Sequence, residues 1–74
     1  MTNQTDFTKP LSAGQYLTKD GYKAIVYEDR TGYAVKGHRM RGGLEWDEQG
    51  KHIHSGKYWN DQNDIVANWM EENI

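Results

Sequence analysis

Cysteine is absent from the 74 residues, and proline and phenylalanine occur once each. Without cysteine, neither a disulfide nor a thiolate zinc site can support a small core, so three tryptophans and five tyrosines must supply much of its buried area. The absence also fits a reducing compartment. Long apolar runs are missing too. The longest, Ala24-Ile25-Val26-Tyr27, is too short for a signal peptide or a membrane span, so the expectation is a cytoplasmic protein with no membrane partner. A chain of this length holds one domain with a modest core and little capacity for a deep pocket, which argues against an enzyme. Homo-oligomerisation would be an economical way to hide more surface.

Charge is scarce as a net quantity and informative as a pattern. The formal balance is −2, which pulls the chain neither toward nor away from nucleic acid. Lys36, His38, Arg39 and Arg41 are close together, and Lys51, His52, His54 and Lys57 follow an acidic interruption at Glu45, Asp47 and Glu48. Beyond Lys57 every charged side chain is acidic. An ordinary solvated mixture gives this pattern, and so do a cationic binding patch or two oppositely charged ends that meet in a dimer.

Glycine is what the chain has in quantity. Lys19-Asp20-Gly21, Asp29-Arg30-Thr31-Gly32, Arg41-Gly42-Gly43, Asp47-Glu48-Gln49-Gly50 and His54-Ser55-Gly56 punctuate short aromatic and β-branched runs, as chain reversals require. The fold class read from this is mainly β: a small antiparallel sheet or SH3-like barrel of about four to six short strands. Residues 1–12 are polar, carry Pro10 and read as a flexible arm, leaving 13–74 as the single domain. Gln15 to Thr18 forms a first strand. Tyr22 to Asp29 forms the central one, with Tyr22, Ala24 and Val26 on one face and Ile25 and Tyr27 on the other. The strand from Tyr33 to Met40 is expected to turn Tyr33 and Val35 inward and Lys36 and His38 outward, with a bulge at Gly37 leaving the facing of Arg39 open. Gly42-Gly43 then ends it. Ile53 is expected to point in and His52 and His54 out.

Residues 64–72 support two readings. Ile65, Val66, Trp69 and Met70 form one stripe at helical spacing, with Asn60 or Asn63 as cap, which predicts a C-terminal helix. Read as alternation, the same residues form a strand that closes a small barrel.

Candidate binding residues follow from chemistry. Lys36 to Gly43 combines arginine forks suited to phosphate with glycines that let a ligand reach the backbone, and Tyr33, Trp46, Tyr58 or Trp59 are available to stack on a base. A solvated strand end explains the same segment, and no phosphate-loop pattern is present. His52 and His54 share a strand face that His38 could join as a three-imidazole metal site, although no acidic residue is placed to orient them, so no metal or other cofactor is assigned. Tyr58-Trp59 is an interface hot spot if exposed and a core element if not. No catalytic constellation is assignable: Ser55 and His54 point to opposite strand faces, and Glu45 and Asp47 read as solubilising charges.

Leu17-Thr18-Lys19-Asp20-Gly21, a following β run, Trp46-Asp47-Glu48-Gln49-Gly50-Lys51 and then Asp64-Ile65-Val66 together resemble a class of short bacteriophage and prophage proteins, mostly of unknown function. The likeness covers about 50 residues and implies a phage or mobile-element origin and a strand at the C-terminus, but no site residues. The expectation is a non-catalytic binding protein that engages or inhibits a host protein. The alternative is a nucleotide or nucleic-acid binder acting through Lys36 to Gly43.

Overall fold

The structure, a computed structural model, describes residues 7–59 and 62–70, and of Tyr58 and Trp59 the backbone alone. Seven strands follow in order: β1 (Gly14–Thr18), β2 (Lys23–Val26), β3 (Thr31–Lys36), β4 (Arg39–Trp46), β5 (His52–His54), β6 (Lys57–Trp59) and β7 (Ile65–Asn68). They form one antiparallel sheet in the order β6-β5-β4-β3-β2-β1-β7, a meander whose last strand folds back beside the first. The small mainly-β fold is as expected, with seven strands instead of four to six. The sheet curls but β6 and β7 are not neighbours, so it is a half-barrel and not a closed one. No helix occurs among the described residues, and none is long and apolar enough to cross a membrane.

The predicted C-terminal helix is therefore corrected to β7. The stripe at helical spacing is real as a pattern, but pairing with β1, Leu17 against Ala67 and Thr18 against Ile65, buries Ile65 and Ala67 and gives the backbone its hydrogen bonds. A segment this short is a marginal helix in water, and tertiary pairing decides it.

The concave face holds the core: Leu11, Tyr16, Tyr22, Ala24, Val26, Ala34, Leu44, Trp46 and Ile65, with Phe7 packed against them. Packing reaches back into residues 7–12. Leu11 is 2% exposed and donates its amide to Glu48 O, and Tyr16 OH donates to Ser12 O. Tyr22, Ala24 and Val26 share the inward face, as the alternation in β2 predicts, and β2 is interior to the sheet although β3 is its midpoint.

Strand β3 faces the other way from its predicted setting. Ala34 lies opposite Ala24 and Gly32 opposite Val26, and opposed residues of an antiparallel pair share a face, so Gly32 and Ala34 are buried inside while Tyr33 and Val35 are half-buried on the convex side. The expectation follows bulk, but the inside of a tight curl selects for smallness. A Cβ on Gly32 would stand 1.8 Å from Ile25 O. Gly37 is also not a bulge: Gly37 and His38 are the central pair of a two-residue hairpin between Lys36 and Arg39, with positive φ at Gly37 as a type II′ turn requires.

The bulge lies further on. Gly32 pairs with Leu44 and Ala34 with Arg41, so Gly42 and Gly43 together oppose Tyr33, and Gly43 has φ of 67°. These glycines sit inside β4 and do not end it. His52 pairs with Trp46, whose side chain is fully buried, and this register turns His52 inward and leaves Ile53 half-buried on the convex face, the reverse of expectation. His54 is exposed as predicted.

Candidate functional site

The motif segments behind the phage resemblance converge on one joint. In the first hairpin the Thr18 hydroxyl accepts the Tyr22 amide and donates to Asp20 Oδ1. In the β4–β5 turn, Asp47 Oδ1 accepts the amides of Gln49 and Lys51 and positions Gly50 at φ 83°. Asp64 joins the two: its carbonyl accepts the Lys19 amide, its Oδ1 accepts the His52 amide at 2.9 Å, and Ile65 N–H donates to Gly50 O. Trp46 Nε1–H donates to Asn63 O beside them, and a Cβ on Gly50 would stand 2.7 Å from Phe7 Cζ. These residues tie one flank of the curled sheet to the other. They are architectural, and Trp46, at 1% exposure, is not a surface for stacking a base.

The predicted cationic site divides. Arg41 is engaged within the protein: Nη1 donates to Asn63 Oδ1 at 2.6 Å, Nη2 pairs with Asp20 Oδ2, and the guanidinium lies 3.7 Å from the centroid of the Tyr22 ring. The hydrogen bond to Asp20 raises the Arg41 pKa further. For Asp20, burial pulls its carboxyl upward, but hydrogen bonds from Arg41 and Thr18 and the charge of Arg41 outweigh that pull and hold it below its ordinary value. Lys36, His38 and Arg39 are exposed, and Lys36, Gly37 and Arg39 rim an open hollow of about 530 Å³ above Asp20, Tyr22 and Arg41. The three histidines do not converge as a metal site: His52 points into the core, His38 sits on the β3–β4 turn, and among the described residues no group of three or more His, Asp or Glu could hold an ion. The side chains of Tyr58 and Trp59 lie outside the described residues.

A second surface, on the convex face, is only partly visible in the sequence. Tyr27 is 51% and Met40 68% exposed, and the rings of Tyr27 and Tyr33 meet at 6.4 Å between centroids with a 58° tilt. With the backbone of Gly42 and Gly43 they line a hollow of about 450 Å³. A Cβ on either glycine would meet nothing within 4 Å, so the backbone there is open to approach. Glu45 forms one edge and is shared with an adjoining hollow of about 350 Å³ lined by Asp29, Arg30, Asp47, Glu48 and Ile53. The Thr31 hydroxyl and amide hold the Asp29 carboxyl below its ordinary value. Among the described residues no ion pair engages Glu28, Asp29, Glu45, Asp47 or Glu48. Composition and spacing offer Tyr33 only as a stacking residue beside the arginines. A signal for the surface is present in Gly42-Gly43, since paired glycines inside a strand mark a bulge where another backbone can come close.

No family model matches the chain, and comparisons with curated proteins and with solved structures found no match.

Proposed function

We propose that this chain is a small non-catalytic binding protein that engages another protein through the convex surface of Tyr27, Tyr33 and Met40. One observation carries the reading: two of the three large exposed apolar side chains among the described residues, Tyr27 and Met40, flank the same glycine-floored hollow, while Arg41 of the cationic segment is engaged by Asp20, Asn63 and Tyr22. Tyrosine and methionine are the residue types that interface centres favour, and an exposed glycine backbone offers hydrogen bonds to an incoming segment. The motif likeness to phage proteins extends the proposal to an accessory protein acting in the host cytosol on a host protein, inhibition being one such action.

The test compares three forms of the protein as affinity baits: the native chain, Tyr27→Ser with Met40→Ser, and Lys36→Ala with Arg39→Ala. The reading expects a stoichiometric partner retained by the native chain and the Lys36/Arg39 variant and lost from the Tyr27/Met40 variant. Loss from the basic variant alone would reverse it. The alternative, a nucleotide or strand held by Lys36 and Arg39 over the 530 Å³ hollow, draws on their exposure. It expects amide shifts confined to residues 36–43 on addition of ATP, a cyclic dinucleotide or a short oligonucleotide. Unchanged spectra with all three remove it.

A further inference from the structure

The charges that are mixed in sequence are separated by the fold. In a meander, successive turns alternate between the two ends of the sheet. The β2–β3 and β4–β5 turns therefore share one end, and the β1–β2, β3–β4 and β5–β6 turns the other. The first end carries Glu28, Asp29, Asp47 and Glu48, with Glu45 one residue inside it, against Arg30, Lys51 and Lys9, the last in the segment entering β1, where Leu11 donates its amide to Glu48 O. The second carries Lys19, Lys36, His38, Arg39, His54 and Lys57 against Asp20. The Tyr27/Tyr33 hollow runs from Thr31 and Glu45 at the acidic end along β4 to Met40 and borders the carboxylate-lined hollow through Glu45. Lys51, also near this end, has its ammonium 3.7 Å from Asp64 Oδ2.

From this placement we propose that the hollow takes an extended cationic segment of a protein partner, an arginine or lysine side chain lying against the rings of Tyr27 and Tyr33 with Glu45 as its counter-charge. The proposal rests on the protein-binding reading and narrows its partner. Aromatic faces attract a cation through the ring quadrupole, a carboxylate at the rim adds a hydrogen-bonding counter-ion, and the net acidic excess of this end steers a basic chain toward the hollow. An acidic or phosphorylated segment would meet like charge from five carboxylates. The apolar stem of arginine or lysine also suits Met40 and the open Gly42-Gly43 floor, whose backbone can pair with an extended segment.

The test uses three synthetic ten-residue peptides that alternate arginine, glutamate or glutamine with valine, titrated into the isotopically labelled full chain and followed by amide shifts. The arginine peptide is expected to move Tyr27, Thr31, Tyr33, Gly42, Gly43 and Glu45. Glu45→Gln should weaken it about three- to fivefold, Tyr33→Ala more, and raising salt from about 50 to 500 mM should weaken it several-fold, because the contacts are exposed and screened. Equal shifts with the glutamine or glutamate peptide would overturn the cationic specificity while leaving protein binding at this surface standing. Silence at these residues with all three peptides would overturn both. Concentration-dependent shifts of the same residues without any peptide would assign the hollow to a second copy and overturn the proposal equally.

Discussion

Replacing Asp64 with alanine tests how the half-barrel is held. The carboxylate is buried, its Oδ1 accepts the His52 amide at 2.9 Å, and its Oδ2 stands 3.7 Å from Lys51 Nζ. Removing it leaves a buried backbone N–H without its acceptor and cancels a charge-assisted hydrogen bond, a loss of about 2–3 kcal/mol. The Lys51 pair contributes little, because the lysine side chain is 46% exposed and the separation is long, so Lys51→Ala should cost no more than about 0.5 kcal/mol. An asparagine in place of Asp64 would keep an oxygen toward the His52 amide and lose only the charge, so Asp64→Asn should cost about 1 kcal/mol. A chain of this size has a total stability of roughly 4–11 kcal/mol, and the alanine variant therefore surrenders a large share. With a urea slope near 1 kcal/mol per molar, its unfolding midpoint should fall by about 2–3 M, against about 1 M for asparagine and a few tenths for Lys51→Ala. Equal losses for Asp64→Ala and Asp64→Asn would refute the reasoning, since the retained oxygen is the whole of the predicted difference.

Gly32→Ala should abolish folding or cost more than about 3 kcal/mol, because its methyl would sit on Ile25 O, whereas Gly42→Ala, which meets nothing, should fall within about 1 kcal/mol of native by the same denaturation curves. Trp46→Phe should cost about 1–2 kcal/mol by leaving buried Asn63 O without the indole donor while keeping most of the ring volume, read from the thermal midpoint. Asp20 gives stability a pH dependence: against the upward pull of burial, the hydrogen bonds from Arg41 and Thr18 keep its folded pKa low, so the unfolded chain binds the proton more readily. That contribution is complete above the ordinary carboxylate value of about 3.9 and disappears as pH falls through the lowered one; urea midpoints from about pH 6 to pH 2 should slope less in Asp20→Asn than in the native chain. Arg30, held at φ 67° where glycine is at ease, should yield about 1 kcal/mol of added stability on Arg30→Gly.

The β class was legible because turn chemistry is local. Gly21, Gly50 and the pair Ser55-Gly56 take positive φ in turns flanked by Asp20, Asp47 and His54, and each turn reverses the chain where the sequence places one. Facing is harder, since it depends on register, which is set between strands. The polarity and bulk of Tyr33 and His52 point each of them the wrong way, because Ala24 opposite Ala34 and Trp46 opposite His52 decide the matter. The candidate site suffers in the same way. Arg41 reads as a free phosphate fork until Asp20 and Asn63, 21 and 22 residues away in chain, are brought to it. The Tyr27/Met40 surface becomes visible only when β3 is turned to put Tyr33 outside.

The paired glycines of β4 set the phase of everything after them. Arg41 and Leu44 both face the concave side although they are an odd number of residues apart, and only the bulge permits this. The bulge absorbs an extra residue: a regular strand of the same length would turn Leu44 and Trp46 to solvent and Glu45 to the core, whereas losing one glycine would leave Arg41 and Leu44 two apart, restoring plain alternation with both still concave. The facing of the sheet therefore does not need the second glycine, and what its deletion would remove is the local kink and the open backbone that floors the convex hollow.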